Sequence, residues 1–255
     1  MIKTKTIYTL FSLATLPITI LNGYSLKWRC IIPAQEQTYT SLYEAIKGED
    51  ISKIEEIISL QKNKQAFINE GLLVAAETKD PDFITYFLNK GADINAKDRY
   101  ADRTALHCVV GKGNLECVQM LLAAGADINA LTYWSRLSPI FIAIEKHDLE
   151  MVKLLAQAGA RLDIKSYWLG QTIMHAAINA NDPHILTYLI QAGAPLNMRD
   201  KRNRTPYMFA SEQKSTQLIE IITNAQPEIT AEDLTWIETK HKEQEELRLK
   251  LSQNN

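Results

Sequence analysis

The sequence predicts an all-α fold made of tandem two-helix units, on three observations. Gly91, Gly125, Gly159 and Gly193 each open a Gly-Ala-X tripeptide, and the steps between them are equal. A fixed period of this size marks stacked supersecondary units. Apolar residues recur in aligned columns with helical spacing, and helix start and stop residues fall at matched places in each unit. Counting back by one constant offset from each Gly reaches Glu70, Thr104, Ser138 and Thr172, and the register extends to Thr40 and Thr205. Six units therefore start at 40, 70, 104, 138, 172 and 205.

Two columns set the first helix of each unit. Its third residue is Leu42, Leu72, Leu106, Ile140, Met174 or Tyr207. Three further on stand Ala45, Ala75, Val109, Ala143, Ala177 and Ala210, small where one helix presses against its neighbour. The second helix repeats the spacing with Ile54, Ile84, Val118, Val152, Leu186 and Ile219, then Ile57, Phe87, Leu121, Leu155, Leu189 and Ile222. A step of three keeps each pair on one face of an α-helix. Five of the six units open with Thr or Ser, whose hydroxyl can accept from an orphaned helix N–H. Asp50, Asp80, Asn114, Asp148, Asp182 and Ser215 offer the same cap to the second helix. Pro81 and Pro183 follow two of these caps, at the helical position that best tolerates proline. The repeated Gly comes just after the second helix, where a left-handed residue is wanted.

Thr104-Ala105-Leu106-His107, Gly113-Asn114-Leu115, the run from Leu121 to Ala130 (LLAAGADINA), Thr172-Ile173-Met174-His175-Ala176-Ala177 and Thr205-Pro206 carry a specific likeness. Over residues 40–226 the chain resembles the ankyrin-repeat family. The resemblance implies a helix–turn–helix per unit, hairpin-like loops projecting at right angles, and stacking into a curved solenoid. It also implies that His107 and His175 hydrogen-bond neighbouring turns. Gln61 and Gln226 replace the repeated Gly in the first and last units, as expected of capping repeats. The family's Gly after the first helix survives only as Gly113, with Asn181 able to enter the left-handed region. The connections from Gly91, Gly125 and Gly159 to the next unit are one residue longer than the family's usual, whereas that from Gly193 is not.

Those loops are where function is expected. Aligned, they give one column of Arg99, Tyr133, Tyr167 and Lys201 and a next column of Tyr100, Trp134, Trp168 and Arg202. Trp, Tyr and Arg dominate binding hot spots, so the tips read as an aromatic and basic strip offered to a partner protein. The candidate contact residues are Arg99, Tyr100, Arg103, Tyr133, Trp134, Arg136, Tyr167, Trp168, Lys201 and Arg202. The alternative is that the rings fold back and support the lengthened loops. A flat row is expected; a concave pocket with convergent polar groups would instead favour a receptor or enzyme that uses the strip as a stacking platform.

Composition narrows the classes further. The 255 residues are 46% hydrophobic and 23% charged, ordinary for a globular chain. Lys+Arg 28 against Asp+Glu 30 gives a net charge of −2, so no global basic field recruits nucleic acid. Three Cys are no disulfide framework, and Cys108 and Cys117 lie on apolar columns as buried thiols. His147, His184 and His241 have no acid or Cys at a repeating metal-ligand spacing. No glycine-rich phosphate loop or Gly-X-Ser-X-Gly turn occurs, so no catalytic residue, metal or cofactor is nominated.

The two ends are read separately. Lys3 and Lys5 precede an apolar run from Ile7 to Leu21, short for a span but suited to a secretory signal cleaved after Ser25. Residues 1–25 are thus expected to be a signal peptide, or a membrane anchor through residues 7–21 if uncleaved, with 26–39 as linker. Residues 227–255 are expected to form a charged helix, opened by a Thr230/Asp233 capping box and docked by Leu234 and Trp236. The expected function is a non-enzymatic, exported, monomeric module that binds a partner protein through loop tips and concave face. Among bacterial ankyrin proteins this points to an inhibitor or immunity protein of a secreted toxin. A host-directed effector or a periplasmic scaffold fits the same features.

Overall fold

A computed structural model describes residues 34–78, 80–167, 169–225, 230–239 and 242. The expected signal segment, Cys30, Trp168, Gln226 and His241 lie outside the described residues. Among the described residues, twelve helices form six antiparallel pairs. They are α1 (Ala34–Lys47) with α2 (Ile51–Ser59), α3 (Lys64–Thr78) with α4 (Pro81–Asn89), and α5 (Ala105–Lys112) with α6 (Leu115–Ala123). The remaining pairs are α7 (Pro139–Glu145) with α8 (Leu149–Gln157), α9 (Ile173–Asn179) with α10 (Pro183–Gln191), and α11 (Pro206–Glu212) with α12 (Thr216–Ala225). First helices stack on first helices and second on second, as a solenoid requires.

The apolar columns form one continuous core. From Leu42 to Met174 the third-residue column is fully buried, and so is the small column from Ala75 to Ala210. Tyr207, Ile57 and Ile219 are only half-buried. All three belong to the end units.

Capping explains most helix starts. The carboxylates of Asp50 and Asp148 accept from the N–H groups of Lys53 and Met151, and the amide oxygen of Asn114 accepts from that of Cys117. Asp80 accepts from Asp82, and Asp182 from both His184 and Ile185. Thr40 departs from expectation. It lies inside α1, which begins at Ala34, so residues 34–39 are helix rather than linker. The helix α3 likewise starts at Lys64, well before Glu70. The first two units thus have lengthened first helices and no hairpin between them, which accounts for the shorter step from 40 to 70.

In five of the six units the described turn between the two helices holds a left-handed residue whatever the side chain. Glu49, Gly113, His147, Asn181 and Lys214 have φ of 55°, 71°, 57°, 52° and 57°. Only one of these is glycine, so four units hold an L-residue where it costs about 1–2 kcal/mol.

Candidate partner-binding surface

From the second unit onward, consecutive units are joined by a hairpin. Backbone N–H groups of Asp98, Thr132 and Ser166 donate to the carbonyls of Arg103, Leu137 and Gln171, closing three hairpins of equal size. In the fourth, Asp200 donates to Arg204, one residue shorter. The extra residue of the first three connections therefore sits in the hairpin end. Asp102, Arg136, Gly170 and Asn203 take the left-handed turn position, with φ between 51° and 62°. Gly170 is the one place there where a side chain would not fit, because a Cβ would lie 2.9 Å from Lys201 Cγ.

Adjacent tips are tied together by main-chain bonds. Tyr133 N–H donates to Ala101 O at 2.8 Å, Tyr167 N–H to Ser135 O at 2.9 Å, and Lys201 N–H to Leu169 O at 2.9 Å. Donors and acceptors each advance by one full repeat, so the tips form a ladder along the stack. The hairpin bases are joined by side chains. Asn95 Oδ1 accepts from Asp127 N–H and Asn129 Oδ1 from Arg161 N–H, both at 2.8 Å. At the next step Pro195 has no N–H to give, and Asp163 stands in place of Asn and pairs with Arg161 instead.

Rings project from this scaffold into solvent. Tyr100, Tyr133, Trp134 and Tyr167 are 73%, 63%, 51% and 53% exposed. Tyr133 and Trp134 meet edge to face at 4.9 Å, and Lys201 Nζ lies 4.7 Å over the Tyr167 ring. Arg136 and Arg202 are also exposed. Arg99 and Arg103 differ from the other candidates: they bind acids of their own chain. Arg99 reaches Glu70 Oε2 at 2.6 Å, and Arg103 bridges Asp98 Oδ2 at 2.6 Å and Glu77 at 3.4 Å. Burial opposes ionisation of Asp98, but the Ala101 N–H and the Arg103 guanidinium outweigh it and hold the carboxyl below its usual range. Arg204 is buried in the same manner against Asp200, and also binds Glu212.

The histidines latch the stack. His107 Nδ1 faces the Thr104 hydroxyl at 2.9 Å while Nε2 meets Leu137 O at 3.2 Å. His175 repeats this with Thr172 at 2.8 Å and Arg204 O at 3.0 Å. A carbonyl can only accept, so both rings carry the proton on Nε2. Burial pushes the His175 pKa down to about 4 and lowers that of His107. In the fourth unit this column is Phe141, and the buried Ser138 hydroxyl has no hydrogen-bond partner among the described residues. In the sixth it is Met208, and Thr205 donates instead to Asp233 Oδ1 at 2.9 Å.

Asp233 also accepts from Thr230, completing the expected capping box at the start of helix 231–239. Docking thus runs through Asp233, 4% exposed, and through Glu232, which meets Arg199 at 2.8 Å, and not through Leu234, which is 48% exposed; Trp236 is half-buried. Cys108 and Cys117 are free and buried, and burial pushes the Cys108 thiol up to about 12. Among the described residues no cluster of three or more His, Cys, Asp or Glu could hold a metal ion.

The row is not flat. Between the second and third hairpins and helices α7 and α9 lies a cleft of about 410 Å³. Leu137, Phe141, Leu169 and Ala176 line it with Ser135, Glu145, Ser166, Gln171 and Asn179. Among the described residues the rings of Tyr133 and Tyr167 are not part of its wall, and Phe141 lines it.

A family model for ankyrin repeats matches residues 72–166 and again 140–233, together more than half of the chain. No curated protein matches the sequence.

Proposed function

We propose that this chain, which belongs to the ankyrin-repeat family, grips a partner protein with the hairpin tips of its middle units. As a stack of ankyrin repeats it is a protein–protein interaction module. The finer reading rests on one observation. The exposed rings stand on hairpins whose main chains already brace one another, so the rings are not needed to support the loops. An exposed apolar row of this kind invites association unless a partner covers it.

Interface Trp residues cost about 2 kcal/mol or more when truncated, roughly a thirtyfold loss at about 1.4 kcal/mol per decade. Trp134→Ala/Tyr167→Ala is therefore expected to weaken capture of the native partner at least thirtyfold, measured with material from the native host. Undiminished capture would overturn the reading. Export, and with it a role as inhibitor of a secreted toxin, belongs to this proposal on the strength of Lys3, Lys5 and the run to Leu21. The same preparation decides it by N-terminal sequencing, with a start near Leu26 expected and an intact Met1 against it.

A further inference from the structure

One column of the repeat carries an acid at the end of the first helix: Glu77, Glu145 and Glu212, with Lys47, Gly111 and Asn179 at the other three places. The residue just before each of the last four units, at the end of its hairpin, is Arg103, Leu137, Gln171 or Arg204. Glu77 is answered by the Arg of the following hairpin, Arg103, and Glu212 by the Arg of the preceding one, Arg204. Applied to Glu145, the first relation leads to Gln171 and the second to Leu137. Both are neutral, and both line the cleft that Glu145 borders.

The cleft is therefore one positive charge short of its neighbours. Glu145 makes no hydrogen bond or ion pair among the described residues, and Lys146 acts on it only through space. His147, also at the cleft, is turned to Asp182 at 3.5 Å. Glu145 is exposed at the rim of the cleft, and partial desolvation there raises its pKa, with Lys146 acting the other way.

We propose that this cleft receives an arginine side chain of the partner protein, with Glu145 as its counter-ion. The inference rests on the partner-binding reading and specifies the partner's chemistry. A guanidinium presents five donors in a flat fork, matched by the Glu145 carboxylate and the Gln171 amide oxygen. Its aliphatic stem would lie along Phe141 and Leu169. The site is continuous with the tips, since Ser135 and Leu169 both line it and supply the carbonyls that hold Tyr167 and Lys201.

The test is an NMR titration of the full chain with acetyl-Gly-Arg-Gly-amide and with its neutral citrulline analogue. Shifts are expected at the amides of Ser135, Glu145 and Gln171, with the citrulline peptide at least tenfold weaker. Glu145→Gln is expected to weaken the arginine peptide at least tenfold. Gln171→Arg, which copies the Arg103–Glu77 pair, is expected to do the same by filling the site from within. Thermal melts verify that each variant is folded, and if one is not, the other carries the test. Equal affinity in wild type and folded variants, equal binding of the citrulline peptide, or no shift in the cleft at millimolar peptide would overturn the proposal. None of these results touches the tip reading, which depends on Trp134 and Tyr167 and a different measurement.

Discussion

The fifth unit and the fourth share register and helix pairing, yet they are closed in different ways. In the fifth, Thr172 and His175 pair with each other and the ring reaches across to Arg204 O. In the fourth, Phe141 occupies the histidine place, the Ser138 hydroxyl is buried without a partner, and Glu145 has no counter-ion among the described residues. Buried polar groups are normally satisfied, and each exception asks for a reason. Ser138 is that exception among the described residues, and it shares with the exposed Glu145 the unit that borders the cleft and follows the hairpin of Tyr133 and Trp134. Polar closure of the stack has been given up where a surface faces outward.

The largest test of that contrast copies the fourth unit onto the fifth. His175→Phe removes the ring's bonds to the Thr172 hydroxyl and the Arg204 carbonyl, although the hydroxyl still accepts from the residue 175 N–H and the carbonyl from Asp200 N–H. Two lost hydrogen bonds at about 0.5–1.5 kcal/mol each predict a loss of about 1–3 kcal/mol in denaturant melts at pH 7. Acid shrinks the difference, and its sign is set by linkage. The buried ring has a pKa of about 4 against an ordinary value of 6.5, so between those values the unfolded chain takes up a proton and the folded one does not. Wild-type stability attributable to His175 is therefore complete above about pH 6.5 and falls as pH drops towards about 4, by about 1.4 kcal/mol per pH unit at most. The variant lacks this dependence. A parallel pH profile for both proteins would break the latch account.

A smaller pair of substitutions isolates the hydroxyls. Thr172→Ala removes a cap and the histidine's partner and is expected to cost about 1–2 kcal/mol in the same melts. Ser138→Ala deletes a hydroxyl that has no partner and is expected to be neutral or slightly stabilising. Equal losses at the two sites would erase the distinction between the units.

The smallest effect compares the third unit with the fourth at the left-handed turn. His147→Gly is expected to gain about 0.5–1 kcal/mol by relieving an L-residue at φ 57°. Gly113→Ala is expected to lose a similar amount, again by denaturant unfolding.

Most of this architecture is legible in the sequence, because periodicity and caps are written in side chains. The apolar columns, the Asp and Asn caps and the histidine latches are all where the repeat places them. Main-chain features are not legible. The ladder from Tyr133, Tyr167 and Lys201 uses N–H and carbonyl groups that almost every residue possesses, so no residue type announces it. The helical extensions of α1 and α3 replace a hairpin, and their residues carry no repeat to align. Leu234 stands out in the sequence through a thin apolar stripe, whereas the burial of Asp233 depends on Thr205, a distant partner in another unit. Glu145 is detectable only by comparing acids in one column with arginines in another, and each pairing joins a first helix to a hairpin.

The most direct test of the account is the unfolding free energy of Trp134→Ala/Tyr167→Ala. Both rings are more than half exposed, and the ladder that holds their hairpins is made of backbone atoms. The edge-to-face contact with Tyr133 and the Lys201 contact on Tyr167 are worth about 0.5–1 kcal/mol each at exposed sites. A loss of no more than about 1–2 kcal/mol, with an unchanged denaturant slope, is therefore expected. A loss of about 4 kcal/mol or more, the size seen when a large buried ring is truncated, would mean that the rings hold the loops together, and would contradict the claim that this row exists for a partner.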